Sequence, residues 1–394
     1  MMITSFYVYL VLPFILCLVQ SMSAFLYFPT THHEATWTSA LKGTPQQQQC
    51  KRRDLTISHE IPTGGINAHS TDEVLNIVIT GANRGLGFAI AQFVVSLGHR
   101  VVLACRNEQK GRAALERLIA SHGDARSLAS VHVLDVSSAK SIDSFQQGCI
   151  MSDLGGKLDL LFNNAGVCLP GWDKATLEST LSVNFFGALH VMEVCLPALI
   201  QSARTRKTPE GAADGKAGYG LPSVVWISSG DGELCFLASE WQRLLERASS
   251  VEEIQLHLAR LASSTRHASK GGSGAAHGNK QPRLAAHNDI GEREHEHEQH
   301  EEIAFGHTPA YSLSKAAGNA VVRLLAPSLA NSHGVRLVAV CPGDVLTDMI
   351  SPEELIRGEV ITPIEAARAV VDVALRARDF PSGGFYRQGE RIPW

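Results

Sequence analysis

The chain has 394 residues, with 35 basic and 39 acidic side chains and a net charge of −4, which leaves no basic excess to argue for nucleic acid. That length holds one large α/β domain or two small ones, with a sizeable buried core. The cysteines are scattered, with no CxxC pair and no tight even framework, which argues for reduced thiols and against a disulfide-stapled secreted domain.

Residues 1–24 read as a signal peptide. Phe6 to Val19 is an apolar run of about 14 residues, the size of an h-region and short for a bilayer span. Ser21, Ser23 and Ala24 supply the small residues of a cleavage site, but no Lys or Arg precedes the run and Met22 is unusual there. An uncleaved anchor is the alternative. Residues 25–70 begin with Phe25 and are rich in Thr, Ser, Gln and His, with Glu34 the one acid before Arg53. The pair resembles the bipartite signal-plus-transit leaders of algae with complex plastids, which implies a plastid destination. The secretory pathway or an endomembrane is the other possibility.

Residues 71–394 read as the folded domain. Short β-branched or apolar runs at Leu75–Thr80, Arg100–Cys105, Ser130–Leu134, Leu158–Phe162, Ser223–Ile227 and Val335–Val340 predict strands. Between them Gly87–Leu97, Gly111–Ala120 and Leu181–Ile200 carry a helical period. Such alternation implies a parallel sheet covered on both faces. Arg204 to Gly220 is a polar surface excursion. An insertion over 230–306 opens with an amphipathic helical segment, Ser239–Ala262, followed by a Gly-, Ser-, His- and Glu-rich tract, about 263–302, expected to be disordered. His295-Glu296-His297-Glu298-Gln299-His300 within it lacks HExxH spacing and reads as solvated low complexity, so no metal site is expected.

Thr80-Gly81-Ala82-Asn83-Arg84-Gly85-Leu86-Gly87 lies between a predicted strand and a predicted helix. Gly81 permits a tight turn, Gly85 lets a pyrophosphate approach, and Gly87 allows close helix–strand packing. An acid that would bind a ribose 2′-hydroxyl is missing from Ala104-Cys105-Arg106, whereas Arg84 and Arg106 suit a 2′-phosphate. NADPH/NADP+ is therefore the expected cofactor.

Tyr311-Ser312-Leu313-Ser314-Lys315 puts a phenol and an ammonium four residues apart on one helical face. Carbonyl reduction needs a proton donor, and a nearby cation would bring a phenol of pKa ~10 closer to working range. Ser228 and Ser229 end a predicted strand, and alternation aims one of them at the site.

The Gly-x-x-x-Gly-x-Gly spacing and the YxxxK resemble the short-chain dehydrogenase/reductase family over nearly all of Leu75–Trp394. The resemblance implies a Rossmann-like, doubly wound parallel sheet in a single α/β domain with a long helical-plus-disordered insertion. It selects Ser229 as the carbonyl-polarising serine and completes a tetrad of Asn184, Ser229, Tyr311 and Lys315, with Asn184 holding a water in a proton relay. It further implies cofactor contacts from Gly81, Asn83, Arg84, Gly85, Leu86, Gly87 and Arg106, from Asp135 on adenine, and from Asn163, Ala165 and Gly166 of Asn-Asn-Ala-Gly. Pro342, Gly343, Val345 and Thr347 of a PGxxxT turn, with Tyr311 and Lys315, complete that set.

Ser229 and Tyr311 lie roughly 80 residues apart, beyond an ordinary connection. A long insertion there, Asn184-Phe185-Phe186-Gly187 and a Trp-ended C-terminus resemble the monomeric carbonyl reductases. That implies a monomer reducing a ketone, aldehyde or quinone, with a small-molecule carbonyl substrate and no stable membrane span after leader removal. A reductase of plastid pigments or retinoid-type lipids, and a non-catalytic NADPH sensor on the same fold, stay open.

Overall fold

The computed structural model describes residues 73–206, 220–265, 308–349 and 360–394. The leader, the polar tract with its His/Glu run and most of the Arg204–Gly220 excursion lie outside the described residues.

The strands are β1 (Asn76–Thr80), β2 (Arg100–Cys105), β3 (Ala129–Val133), β4 (Leu160–Asn163), β5 (Ser223–Ile227), β6 (Arg336–Cys341), β7 (Phe385–Arg387) and β8 (Glu390–Arg391). They form one sheet in the order β3-β2-β1-β4-β5-β6-β7-β8. All pairs are parallel except β7–β8. The doubly wound sheet expected from the sequence is present, and its winding reverses between β1 and β4, where such sheets bind ligands.

Side-chain alternation explains why the strands read as continuous apolar runs. Ile77 and Ile79 of β1 face one buried layer, which contains Ile90 and Val94 of α1 (Gly85–Ser96) and Leu118 of α2 (Glu108–Ser121). Val78, one residue between them, faces the other layer with Ile142 of α3 (Ala139–Phe145). Each fully buried aliphatic side chain contributes about 1.5–3 kcal/mol, so both layers are strongly held.

The predicted Leu181–Ile200 helix is longer and irregular. It runs as α4 (Lys174–Leu181), a π-helical stretch Ser182–Gly187, and α5 (Ala188–Thr205). At Gly187 an added methyl would overlap the Val136 carbonyl, so the chain can approach there only as glycine. The single amphipathic segment expected over Ser239–Ala262 is two helices, α6 (Ser239–Arg247) and α7 (Val251–Ser264). Ser250 breaks the run by capping α7, its hydroxyl accepting from Glu253 N. Trp241, Leu245, Ile254 and Leu258 are buried in the layer shared with α8 (Pro309–His333).

α9 (Pro363–Leu375) opens with a capping box between Thr362 and Glu365 and packs beside α1. Its C-terminal carbonyls Val373 O, at 2.8 Å, and Ala374 O, at 2.6 Å, are met by the buried Arg336, which also donates to Phe380 O in the following loop at 2.7 Å. Among the described residues five cysteines are free thiols, and Cys235 is disulfide-bonded, contrary to the expectation of reduced thiols.

Candidate active site

The glycine turn leaves β1 at Thr80 and enters α1 at Gly85. Gly81 (φ 68°) and Gly85 (φ 56°) occupy the left-handed region, where any side chain would be strained. A methyl on Gly87 would sit 2.6 Å from Asn164 Nδ2 and 2.7 Å from Gly81 O, so this glycine serves approach to the β4 end and to the turn itself. Arg84 occupies the N-cap of α1 with no side-chain capping bond. The first N–H groups of α1 thus meet no capping side chain, which suits a pyrophosphate.

Thr80 ties this turn to the β4 end. Its hydroxyl accepts from Asn164 N at 2.9 Å and Ala165 N at 2.8 Å, while Asn164 Nδ2 donates to Thr80 O at 2.8 Å. The side chain of Asn163 is buried and donates to Ala188 O at 2.6 Å, so it joins the end of β4 to α5. Asp135 is partly exposed and accepts from Ser137 N at 3.0 Å and Ser137 Oγ at 2.6 Å. Asn83 offers its carbonyl to Arg117 Nη2 at 2.8 Å, a brace from α2 that motif reading missed.

Arg106 is exposed and has no ion pair or hydrogen bond among the described residues. Arg84 is exposed but paired with Asp348, a carboxylate next to the PGxxxT turn. The same turn approaches the glycine loop through Thr347, whose Cγ2 lies 3.3 Å from a Cβ placed on Gly85. Gly343 takes φ 82°, and Val345 pairs with Ile361 in an isolated bridge that fixes the segment after Pro342.

The chemical end gathers at the C-terminal edge of β5. Ser228 is buried and donates to Asn319 Oδ1 at 2.7 Å. Ser229, partly exposed, accepts from Asp231 N at 3.2 Å, and its hydroxyl acts on the Tyr311 phenol, lowering its pKa. Of the adjacent pair, Ser229 is therefore the one that reaches the phenol. Lys315 is buried, donates to Ile227 O at 2.8 Å and has its Nζ 5.4 Å from the centre of the Tyr311 ring. Gly166 lies beside both side chains: a Cβ built on it would be in ordinary contact with Lys315 Nζ at 3.6 Å and tight against Asn184 Oδ1 at 3.3 Å.

Asn184 sits in the π-helical stretch and is buried. Its Oδ1 accepts from Val167 N at 2.8 Å, and its Nδ2 donates to Val167 O at 2.8 Å and Ser314 Oγ at 3.0 Å. Both amide protons are used, and one lone pair on Oδ1 is left for a water. The arrangement braces the loop after Gly166 as well as facing Lys315.

Electrostatics revise one expectation. Lys315 is pulled down to about 8 by burial. Tyr311 is not brought down; burial pushes it above the ordinary phenol value, the Asp231 carboxylate adds to this, and the Ser229 hydrogen bond opposes it. Desolvation of a phenolate thus outweighs the Ser229 interaction, and Tyr311 is a neutral phenol holding its proton at neutral pH. Cys168 and Cys341 also interact with both groups, and motif reading missed them for want of any spacing signal. Cys341 is buried, which raises its thiol and keeps it protonated. Among the described residues no cluster of His, Cys, Asp and Glu could hold a metal ion.

A family model described as short chain dehydrogenase matches residues 75–207 and 299–355. A (+)-neomenthol dehydrogenase of Arabidopsis thaliana is 28% identical over 333 residues, covering 78% of this chain and 94% of that protein. Carbonyl reductase [NADPH] 1 of Mus musculus is 26% identical over 330 residues, covering 80% of this chain and 97% of its own length. The solved structure of salutaridine reductase from Papaver somniferum aligns with a TM-score of 0.58 at 26% identity, over 79% of this chain and 99% of that one.

Proposed function

Since this chain belongs to the short-chain dehydrogenase/reductase family, an oxidoreductase family acting on alcohol/carbonyl pairs with a nicotinamide cofactor, we propose that it reduces a ketone, aldehyde or quinone to the alcohol with NADPH. The observation carrying the reading is the buried Lys315 ammonium, 5.4 Å from the centre of the Tyr311 ring and hydrogen-bonded to Ile227 O, two residues before Ser229.

The positive-φ glycines and the uncapped start of α1 would hold the pyrophosphate. Arg106 and Arg84 would hold a 2′-phosphate, once Arg84 exchanges Asp348 for it. A nicotinamide bound there would supply hydride to the carbonyl carbon. Ser229 Oγ and Tyr311 Oη would share the carbonyl oxygen between them as donors and polarise it. As negative charge grows on that oxygen, Tyr311 passes its proton there, completing the alcohol. The phenolate left behind faces Lys315, whose ammonium offsets its charge until a proton returns through the Asn184 side.

The decisive test is NADPH oxidation by the protein lacking residues 1–70, against quinones, ketones, aldehydes and a retinoid aldehyde. No turnover with any carbonyl, alongside intact NADPH binding, would favour a sensor. Two further parts of the proposal rest on sequence. A monomer is expected because α6 and α7 cover the α8 side of the sheet within one chain, and light scattering showing a stable oligomer would overturn it. A plastid destination is expected from residues 1–70, tested by fusing them to a fluorescent reporter with Phe25 intact or changed to Ala; plain secretion of the intact fusion would overturn it.

A further inference from the structure

We propose that the C-terminal β7–β8 hairpin is a positioning element for catalysis, with Arg387 holding the turn that carries Ser229; this rests on the carbonyl-reductase reading. Arg387 pairs in register with Cys341, the last residue of β6, and so stands at the edge where β5 and β6 release the site loops. Its Nη2 donates to Glu233 Oε1 at 2.9 Å, and the two side chains are 11% and 9% exposed, so the ion pair is buried. Its Nε meets Cys341 Sγ at 3.4 Å. The guanidinium lies against the backbone of Gly230, where an added methyl would overlap Nη2.

The Ser229–Glu233 turn is thereby gripped from two sides. On the α8 side, Asn319 donates to Gly232 O at 3.0 Å, and a Cβ on Gly232 would fall 2.8 Å from Lys315 Cβ. On the other side the turn is anchored by the buried Arg387–Glu233 pair. The next hairpin residue, Gln388, is the sole non-glycine with positive φ among the described residues, at 49°. Its Nε2 lies 3.8 Å from a Cβ placed on Gly343, which sets it beside the Pro342–Gly343 turn. The hairpin is itself fastened by Ile392 N donating to Phe385 O at 2.8 Å and by Trp394 stacked on Phe385 at 5.6 Å. A segment with no group in the reaction therefore touches both loops that build the site.

A merely structural arginine would cost the same in any background, whereas one acting through Ser229 would not. The test is Arg387→Met in the parent and in Ser229→Ala, with kcat, NADPH Kd and amide exchange of residues 230–233 measured for each. The Glu233→Gln/Arg387→Met pair is added, because it removes the buried charge a single change strands. Expected is a loss of about tenfold or more in kcat with Kd nearly unchanged, shrinking below about twofold in Ser229→Ala, with partial recovery in Arg387→Lys. Exchange at 230–233 should rise while β5 stays protected. Equal losses in both backgrounds, or unaltered exchange at 230–233, would overturn the inference. If the parent reduces no carbonyl, the functional reading falls instead, and the exchange measurement alone decides the positioning role.

Discussion

The ammonium of Lys315 donates to the carbonyl of Ile227, the last residue of β5 and two positions before Ser229, at 2.8 Å. One hydrogen bond therefore registers the helix bearing Tyr311 against the strand bearing Ser229. It also consumes one of the three ammonium protons in a structural contact.

That dual use separates two substitutions. Tyr311→Phe should leave folding and NADPH binding intact and lower turnover by ~10²–10⁴, the range for general acid catalysis. Lys315→Met should lose activity too, and in addition weaken NADPH binding and lower stability by about 1–3 kcal/mol, because Ile227 O is left unsatisfied. Steady-state rates, NADPH fluorescence titration and thermal melts read the three quantities. A Tyr311→Phe protein reducing a carbonyl at the parent rate would defeat the functional reading.

A second consequence concerns acid stability. His99 is buried, and burial pulls it from 6.5 down to about 4, with Asp159 opposing. Its ring Nδ1 accepts from Leu75 N at 3.5 Å, which requires the neutral form there. With the folded value below the unfolded one, the unfolded chain binds more protons between those limits. The contribution is fully present above about 6.5 and is lost as pH falls towards about 4, amounting to roughly 3 kcal/mol. Urea unfolding at pH 7 and pH 4.5 should show a smaller acid loss in His99→Gln than in the parent. Equal losses would show that His99 does not carry the effect.

The central sheet was legible because its inner parallel strands are buried on both faces and show as apolar runs, as at Arg100–Cys105 and Ser223–Ile227, while the edge strand β3 is only partly buried. β7 and β8, three and two residues long, are too short to carry a period, so the hairpin was invisible. The helix break at Ser250 lay in a run whose apolar spacing continues on both sides, and the capping hydroxyl alone distinguishes it. Motif spacing located Ser229, Tyr311 and Lys315 but carried no information on Asp348, Arg387 or Glu233. Those are joined by contacts between residues 154 and 264 positions apart, which no local pattern encodes.

Packing under the catalytic helix gives a third expectation. Gly318 of α8 rests on Trp226, and an added methyl would lie 2.5 Å from Trp226 Nε1 and 2.9 Å from Cε2. Trp226 is 1% exposed in β5 and has no room to withdraw. Gly318→Ala should therefore destabilise by about 1–3 kcal/mol through overpacking, despite the better helix propensity of alanine. Differential scanning calorimetry would check this. A melting point at or above the parent's would show that α8 can slide without penalty.

The cofactor preference divides unequally between the two arginines. Arg106 is exposed with no ion pair among the described residues, whereas Arg84 already holds Asp348. Both partners of that pair are more than half exposed, 67% and 74%, so breaking it costs less than about 1 kcal/mol. A 2′-phosphate carries more charge and more acceptors than one carboxylate and should win the exchange. NADPH should thus bind ~10–100-fold tighter than NADH, the equivalent of one or two charge-assisted contacts. Arg106→Ala should erase the larger share of that ratio and Arg84→Ala the smaller. Asp348→Asn should tighten NADPH by a few-fold and leave NADH unchanged, because the competitor acts only where a phosphate seeks Arg84. Isothermal titration of each variant with both cofactors at low and moderate salt gives all the ratios. Equal affinity for NADPH and NADH in the parent would sink the charge argument, and an Asp348→Asn protein tightening both cofactors alike would place Asp348 elsewhere in the site.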